Sequence, residues 1–190
     1  MFAVDSKNSR KILFFRGIPG SGKSAVSNYL NQQHGMQILD PDFVDIFSPE
    51  FKEFKSTFPQ LTRLKNLKYR FLLNKAVAQI NSGKSFIWCQ PWRKSESLKT
   101  TLDNINFQNL ISDGWEIYIV ELLINPKTAW QRLKDAKNYK IKIFKTYKSF
   151  YDYCTKFKDL EPFDKKVGVF SLDANSELQT ILADLETLLK

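Results

Sequence analysis

A chain of 190 residues suits one domain around a single core, and its 43% hydrophobic and 14% aromatic content supplies the apolar surface to fold it. Mixed charge with few Gly and Pro excludes long disorder, and the longest apolar stretch, 117–124, is broken by Glu121 and excludes a membrane span. The net charge of +9 admits a footprint for nucleic acid or another anion, or simply a solvated surface in which Lys is the common polar residue.

Residues 11–16 form a short apolar run that stops at Gly17, the pattern of a strand ending in a turn. A helix follows over 24–33, with Val26, Tyr29 and Leu30 on one face, and Gly35 suits the left-handed position after its end. Residues 36–39 are a second strand, closed by Asp40-Pro41, since the residue before Pro stays extended. Residues 60–81 carry Leu61, Leu64, Leu67, Phe71, Leu72, Val77 and Ile80 at helical spacing and predict a long amphipathic helix. A third strand over 85–89 leads to a helix over 94–112 that ends at Asp113-Gly114. A fourth strand over 115–123 leads to a helix opened by Asn125-Pro126, with Pro in its first turn. Residues 137–158 read as a basic, aromatic helical segment without one clear face. A fifth strand over 167–172 and an amphipathic helix over 175–189 close the chain. Strands and helices alternate five times, which predicts a parallel sheet with helices on both faces, in a single α/β domain spanning 1–190.

The segment Gly17-Ile-Pro-Gly-Ser-Gly-Lys-Ser24 matches G-x-x-x-x-G-K-[ST] in full. Its four fixed positions arise by chance in under about one chain of this length in a hundred. It also sits where the motif requires, directly after a strand and opening a helix. Glycines let the backbone wrap a phosphate with its N–H groups turned inward, and the helix that follows adds its positive end. Gly17, Ile18, Pro19, Gly20, Ser21, Gly22, Lys23, Ser24 and Ala25 are therefore expected to bind ATP. Lys23 is expected at the β- and γ-phosphates and the Ser24 hydroxyl on Mg2+.

Asp40-Pro-Asp42 closes the second strand. Carboxylates at the carboxyl end of a parallel strand face the crevice where such sheets bind ligands. If the second strand lies beside the first on that rim, both come near the γ-phosphate. Asp42 is then placed to take a proton from a substrate hydroxyl, and Asp40 to hold a magnesium-bound water. The alternative for Asp40 is to cap a helix starting at Pro41.

Four stretches resemble the zeta-toxin and polynucleotide-kinase-like group of P-loop kinases: the loop itself, Ile38-Leu-Asp-Pro-Asp-Phe43, Phe86-Ile-Trp-Cys-Gln-Pro-Trp-Arg93, and residues 117–132. The first is specific to P-loop proteins, the second moderately so, and the last two are weak alone. The resemblance implies a three-layer P-loop NTPase fold with a five-stranded parallel sheet in the order 2-3-1-4-5. It also implies a helical lid at about 132–160, and Asp42 as the base of a phosphotransfer from ATP to a hydroxyl.

The chain departs from that family in three places. Asp45 stands where related kinases often carry a basic residue. The third strand ends in Gln90, which can hydrogen-bond a ligand or water but brings no carboxylate for magnesium. The lid offers Arg132 alone among arginines, followed by Lys134, Lys137, Lys140 and Lys142, point charges without the bidentate fork. The expected catalytic set is Lys23, Asp42 and Arg132, with one lid lysine assisting. Asp42, Gln90 and Arg93 are expected at the acceptor.

Other residues divide between two uses. Trp92 is placed to stack on a base or sugar, or to pack on the core. Phe144, Tyr147, Phe150, Tyr151 and Tyr153 interleave with lysines as a nucleic-acid surface or as the apolar side of a lid. Residues 172–176 lie where related kinases pack the adenine, and His34 reads as a helix-end surface residue. Residues 1–11 are polar and the run at 12–15 is too short for a signal h-region. Cys89 and Cys154 show no metal or redox spacing and read as reduced thiols. A cytoplasmic monomer is expected, acting on a nucleotide, sugar nucleotide or nucleic acid. A regulatory ATP binder without phosphotransfer, or a nucleic-acid module built on the basic 127–166 segment (twelve Lys or Arg against five Asp or Glu), are the alternatives. No N-K-x-D or D-x-x-G motif supports a GTPase switch, and no acid pair ends an apolar strand as in transport or remodelling ATPases.

Overall fold

The apolar run that ends at Arg16 becomes the middle strand of a five-stranded, all-parallel sheet in the order β2-β3-β1-β4-β5. The structure is a computed structural model that describes residues 9–137 and 140–189. The strands are β1 (Arg10–Arg16), β2 (Gln37–Leu39), β3 (Phe86–Cys89), β4 (Trp115–Leu123) and β5 (Gly168–Asp173). The second strand does not lie beside the first, since β3 stands between them.

The helices among the described residues are α1 (Lys23–His34), α2 (Pro49–Thr57), α3 (Leu64–Asn81), α4 (Ser95–Asn104), α5 (Phe107–Ser112), α6 (Pro126–Asp135), α7 (Lys140–Phe144), α8 (Tyr147–Cys154) and α9 (Leu178–Leu189). None is long and apolar enough to cross a membrane.

Burial on both faces explains why β1 is nearly all apolar: parallel strands covered by helices on each side have no solvent face. Successive side chains alternate. Ile12 and Phe14 join Trp88, Trp115, Ile117, Leu72 and Leu98 on one side. Leu13 and Phe15 join Ile87, Val120, Val26, Leu30 and Ile181 on the other.

Three helical expectations change. The segment before 64 holds a separate helix, α2, whose Ser48 hydroxyl accepts from Phe51 N–H at 3.2 Å with Pro49 at the first position. Phe51 seats it on Leu67 and Phe71 of α3. The helix expected over 94–112 splits at Asn106, which adopts the left-handed region (φ 57°) that Asn tolerates better than most residues. The lid segment splits at Lys145 (φ 59°), after which Thr146 and Ser149 form a reciprocal cap that starts α8. Residues 138–139 of that segment lie outside the described residues.

The aromatic side of α8 packs inward. Phe150, Cys154, Ala129 and Leu133 bury against Ile18 of the phosphate loop, with Trp130, Phe144 and Tyr153 around them. The interleaved aromatics thus mostly serve packing, although Tyr147 and Tyr151 keep substantial exposure.

Candidate active site

The phosphate loop leaves β1 and enters α1 through Gly22, whose left-handed backbone (φ 92°) immediately precedes the helix. Gly20 is required for a second reason: a Cβ there would lie 2.5 Å from Ala129 O of α6. The loop is thus pressed against the helix that follows β4. Lys23 folds over the loop and its Nζ donates to Gly17 O at 2.7 Å, Ile18 O at 3.0 Å and Ser21 Oγ at 3.2 Å. Burial, and then the charge of Lys140, push its ammonium down to about 8. Ser24 and Ala25 lie exposed on the first turn of α1, while Pro19 and Ser21 are buried.

The carboxylates sit at the end of β2. Leu39 pairs in register with Trp88 of β3, and Phe15 of β1 pairs with Cys89, so this end faces the loop across one strand. No helix starts at Pro41. Residues 40–43 form a turn in which Phe43 N–H donates to Asp40 O at 3.0 Å, and Asp40 Oδ1 accepts from Asp42 N–H at 2.8 Å. Lys68 of α3 holds the same turn by donating to Pro41 O at 2.8 Å. Burial raises the Asp40 carboxyl above its ordinary value. Asp42 points outward and pairs with Lys140 of α7 at 2.7 Å. Asp40, Asp42, Lys23 and Lys140 are close enough to sense one another's charge. Asp45 is exposed and caps Phe47 N–H at 2.9 Å.

The remaining expected residues are dispersed around this cluster. Gln90 is half-buried, and its N–H extends the β3–β1 pairing to Phe15 O at 3.3 Å. The Arg93 guanidinium lies 5.1 Å from the centre of the Tyr153 ring, and its carbonyl accepts from Lys158 N–H at 3.2 Å. Burial raises the Tyr153 hydroxyl pKa, with Arg93 opposing. Trp92 belongs to the core, packed edge-on against Phe14 and Trp88, in a left-handed conformation (φ 48°) that such packing must hold. Arg132 turns to the loop after β5, donating to Ala174 O at 2.7 Å and Ser176 O at 3.3 Å. His34 is a surface partner of Glu186 at 2.8 Å. Cys89 and Cys154 are buried free thiols, and burial pushes Cys89, which lies 2.8 Å from Ser27 Oγ under the loop, up to about 12.

Sequence reasoning passed over Arg16, which is almost fully buried. It pairs with Glu121, its register partner on β4, and donates to Trp92 O at 2.8 Å and to Lys158 O. The signal was present: one Arg closes an apolar strand before Gly17, and one Glu interrupts the longest apolar stretch. Lys68 carried no such signal, because its approach depends on the packing of α3.

A parallel sheet in this order, with a glycine-rich loop leading from its central strand into α1, defines a P-loop nucleoside-triphosphatase fold. The chain matches the AAA domain family model over residues 12–142 and belongs to that family. No protein of curated function matches it in sequence.

Among solved structures it is similar to an unliganded sugar kinase from Janibacter sp. HTCC2649. That match has TM-score 0.59 and 17% identity, and covers 96% of this chain and 95% of that one. Deoxyadenosine kinase from M. mycoides with bound dATP gives TM-score 0.55 and 15% identity, over 95% and 98% of the two chains. A gluconokinase from Sinorhizobium meliloti 1021 gives 0.54 and 14%, over 95% and 93%.

Proposed function

We propose that the protein is a small kinase of the zeta-toxin and polynucleotide-kinase-like group, transferring the γ-phosphoryl of ATP to the hydroxyl of a nucleotide, sugar nucleotide or polynucleotide. The observation that carries this reading is the convergence of Lys23, Lys140, Asp40 and Asp42 at the loop end of the sheet. One buried cation and two carboxylates there match the needs of phosphoryl transfer: charge to hold the phosphates, and a base for the incoming hydroxyl, with Lys140 paired to that base. That several fold relatives are kinases is consistent with it.

Lys23 and the loop N–H groups hold the triphosphate, the lysine exchanging its bonds to loop carbonyls for phosphate oxygens. Ser24, with its hydroxyl exposed at the helix start, and Asp40 form an all-oxygen donor pair that fits magnesium. A magnesium ion held by these oxygens would supply positive charge against the triphosphate. Asp42 receives the acceptor proton as the acceptor oxygen joins the γ-phosphorus and ADP leaves. Gln90 and Arg93 face the acceptor. Arg132, turned to residues 174–176, serves the base end of the nucleotide, so the lid segment of about 132–160 neutralises the moving phosphoryl through a lysine other than Lys140, which is paired with Asp42. Gln90 in place of a carboxylate at the end of β3 favours a second reading, a regulatory nucleotide binder.

Incubation with γ-labelled ATP and magnesium tests the kinase. The acceptors are 5′-hydroxyl DNA and RNA, UDP-sugars and nucleosides, with a no-acceptor control. Label should move to one class, and Asp42→Asn should lower the rate by about a hundredfold or more with ATP affinity retained. Full activity in Asp42→Asn would remove Asp42 as the base. ATP binding without transfer to any acceptor would favour the regulatory reading.

A further inference from the structure

Asp42 presents a difficulty that the structure itself answers. Its side chain is 42% exposed, so water reaches it as readily as an acceptor does. A base open to water beside the γ-phosphate would spend ATP on hydrolysis. Its backbone position is fixed twice, by Asp40 Oδ1 on its own N–H and by Lys68 on Pro41 O. The carboxylate is held separately, by a cation from another part of the chain: Lys140 Nζ at 2.7 Å from Oδ2. Lys140 opens α7, a five-residue helix that buries none of its residues fully. Ile141 and Phe144 hold α7 against the Phe150 cluster, so release of Asp42 needs only a swing of the long, flexible lysine side chain.

We propose that Lys140 is a positioning residue that guards Asp42, keeping the carboxylate in an ion pair until a bound acceptor displaces it. The proposal rests on the kinase reading above. Water at the site brings no binding energy of its own to break the pair, whereas an acceptor held by its remaining groups does. Partly exposed ion pairs are weak, so the guard holds Asp42 by a factor of about five, which a bound acceptor can overcome. In the guarded reaction the acceptor O–H gives its proton to Asp42, the oxygen bonds to the γ-phosphorus, and the bond to the β-phosphate oxygen breaks to release ADP. In the unguarded reaction water supplies that oxygen and orthophosphate is released. Lys140 therefore selects the acceptor hydroxyl over water.

The test is phosphate release from saturating ATP and magnesium with no acceptor, in the full chain, for the wild type, Lys140→Met, Lys140→Arg, Asp42→Asn and the double variant Lys140→Met/Asp42→Asn. Saturating ATP removes effects on nucleotide affinity, and melting curves confirm folding. Lys140→Met should raise acceptor-free hydrolysis about three- to fivefold. Lys140→Arg, which keeps the pair, should stay near the wild type, and the rise should vanish in the double variant. A Lys140→Met rate equal to or below the wild type, in a protein that transfers label to an acceptor, would overturn the guard and leave the kinase standing. A rise that persists without the Asp42 carboxylate would also overturn it. No turnover by any form, with acceptors or with water, would overturn the kinase reading and the guard with it.

Discussion

Lys23 is the most perturbed cation of the loop. Its ammonium is enclosed by carbonyls of the loop that carries it, and burial beside Lys140 pushes it down to about 8 from an ordinary 10.5. A lysine whose folded pKa is lowered costs stability while it is charged, below about 8. The cost fades as pH rises from about 8 toward 10.5, where the unfolded chain binds more protons than the folded one. Lys23→Met should therefore gain most over the wild type at pH 7, and the gain should shrink through that window. Melting temperatures of both forms across pH 7 to 10 check this, and a difference that grew with pH would contradict it. The same variant should lose ATP affinity, so stability and function pull in opposite directions at this position.

Between elements, Arg16 is the tie. From the end of β1 it reaches Glu121 on β4, Trp92 after β3, and Lys158 beyond α8, so one guanidinium joins the sheet to the stretch that follows α8. Burial lowers its pKa, and the rigid fork of Arg meets several acceptors where Lys would meet fewer. Arg16→Met should cost about 3–5 kcal/mol, because Glu121 would stay largely buried without its partner. Replacing both residues by apolar ones should recover much of that loss. Urea unfolding of the single and double variants measures the difference.

At the scale of the molecule, the loop, the β2 turn and the helices α6 to α8 are three separate pieces that meet only when folded. Ile18 of the loop packs on Phe150 and Leu133, and Lys140 reaches Asp42 across the site. Nucleotide should thus stabilise the whole chain by mass action, by about 2.7 kcal/mol at a hundred times the dissociation constant. For a chain of this length that is roughly 5–10 °C in melting temperature. Lys23→Ala should abolish the shift, and a thermal shift titration with magnesium and ATP reads both.

The sequence by itself determined the five strands, their parallel character and the phosphate loop, because these depend on local signals: alternation of apolar runs, glycines at a turn, and a Lys-Ser pair opening a helix. It also marked Asp40 and Asp42 by their place at a strand end. Only the tertiary structure decided which cation meets Asp42. Lys140 and Arg132 lie eight residues apart in one basic segment, and nothing local separates a lysine that meets Asp42 from an arginine that turns to residues 174–176. Partners distant along the chain mark that choice: Arg132 meets the carbonyls of Ala174 and Ser176, and Lys140 meets Asp42. The same holds for Arg16 and Trp92. Their partners come from other strands and loops, so packing, and not spacing, gives each its role.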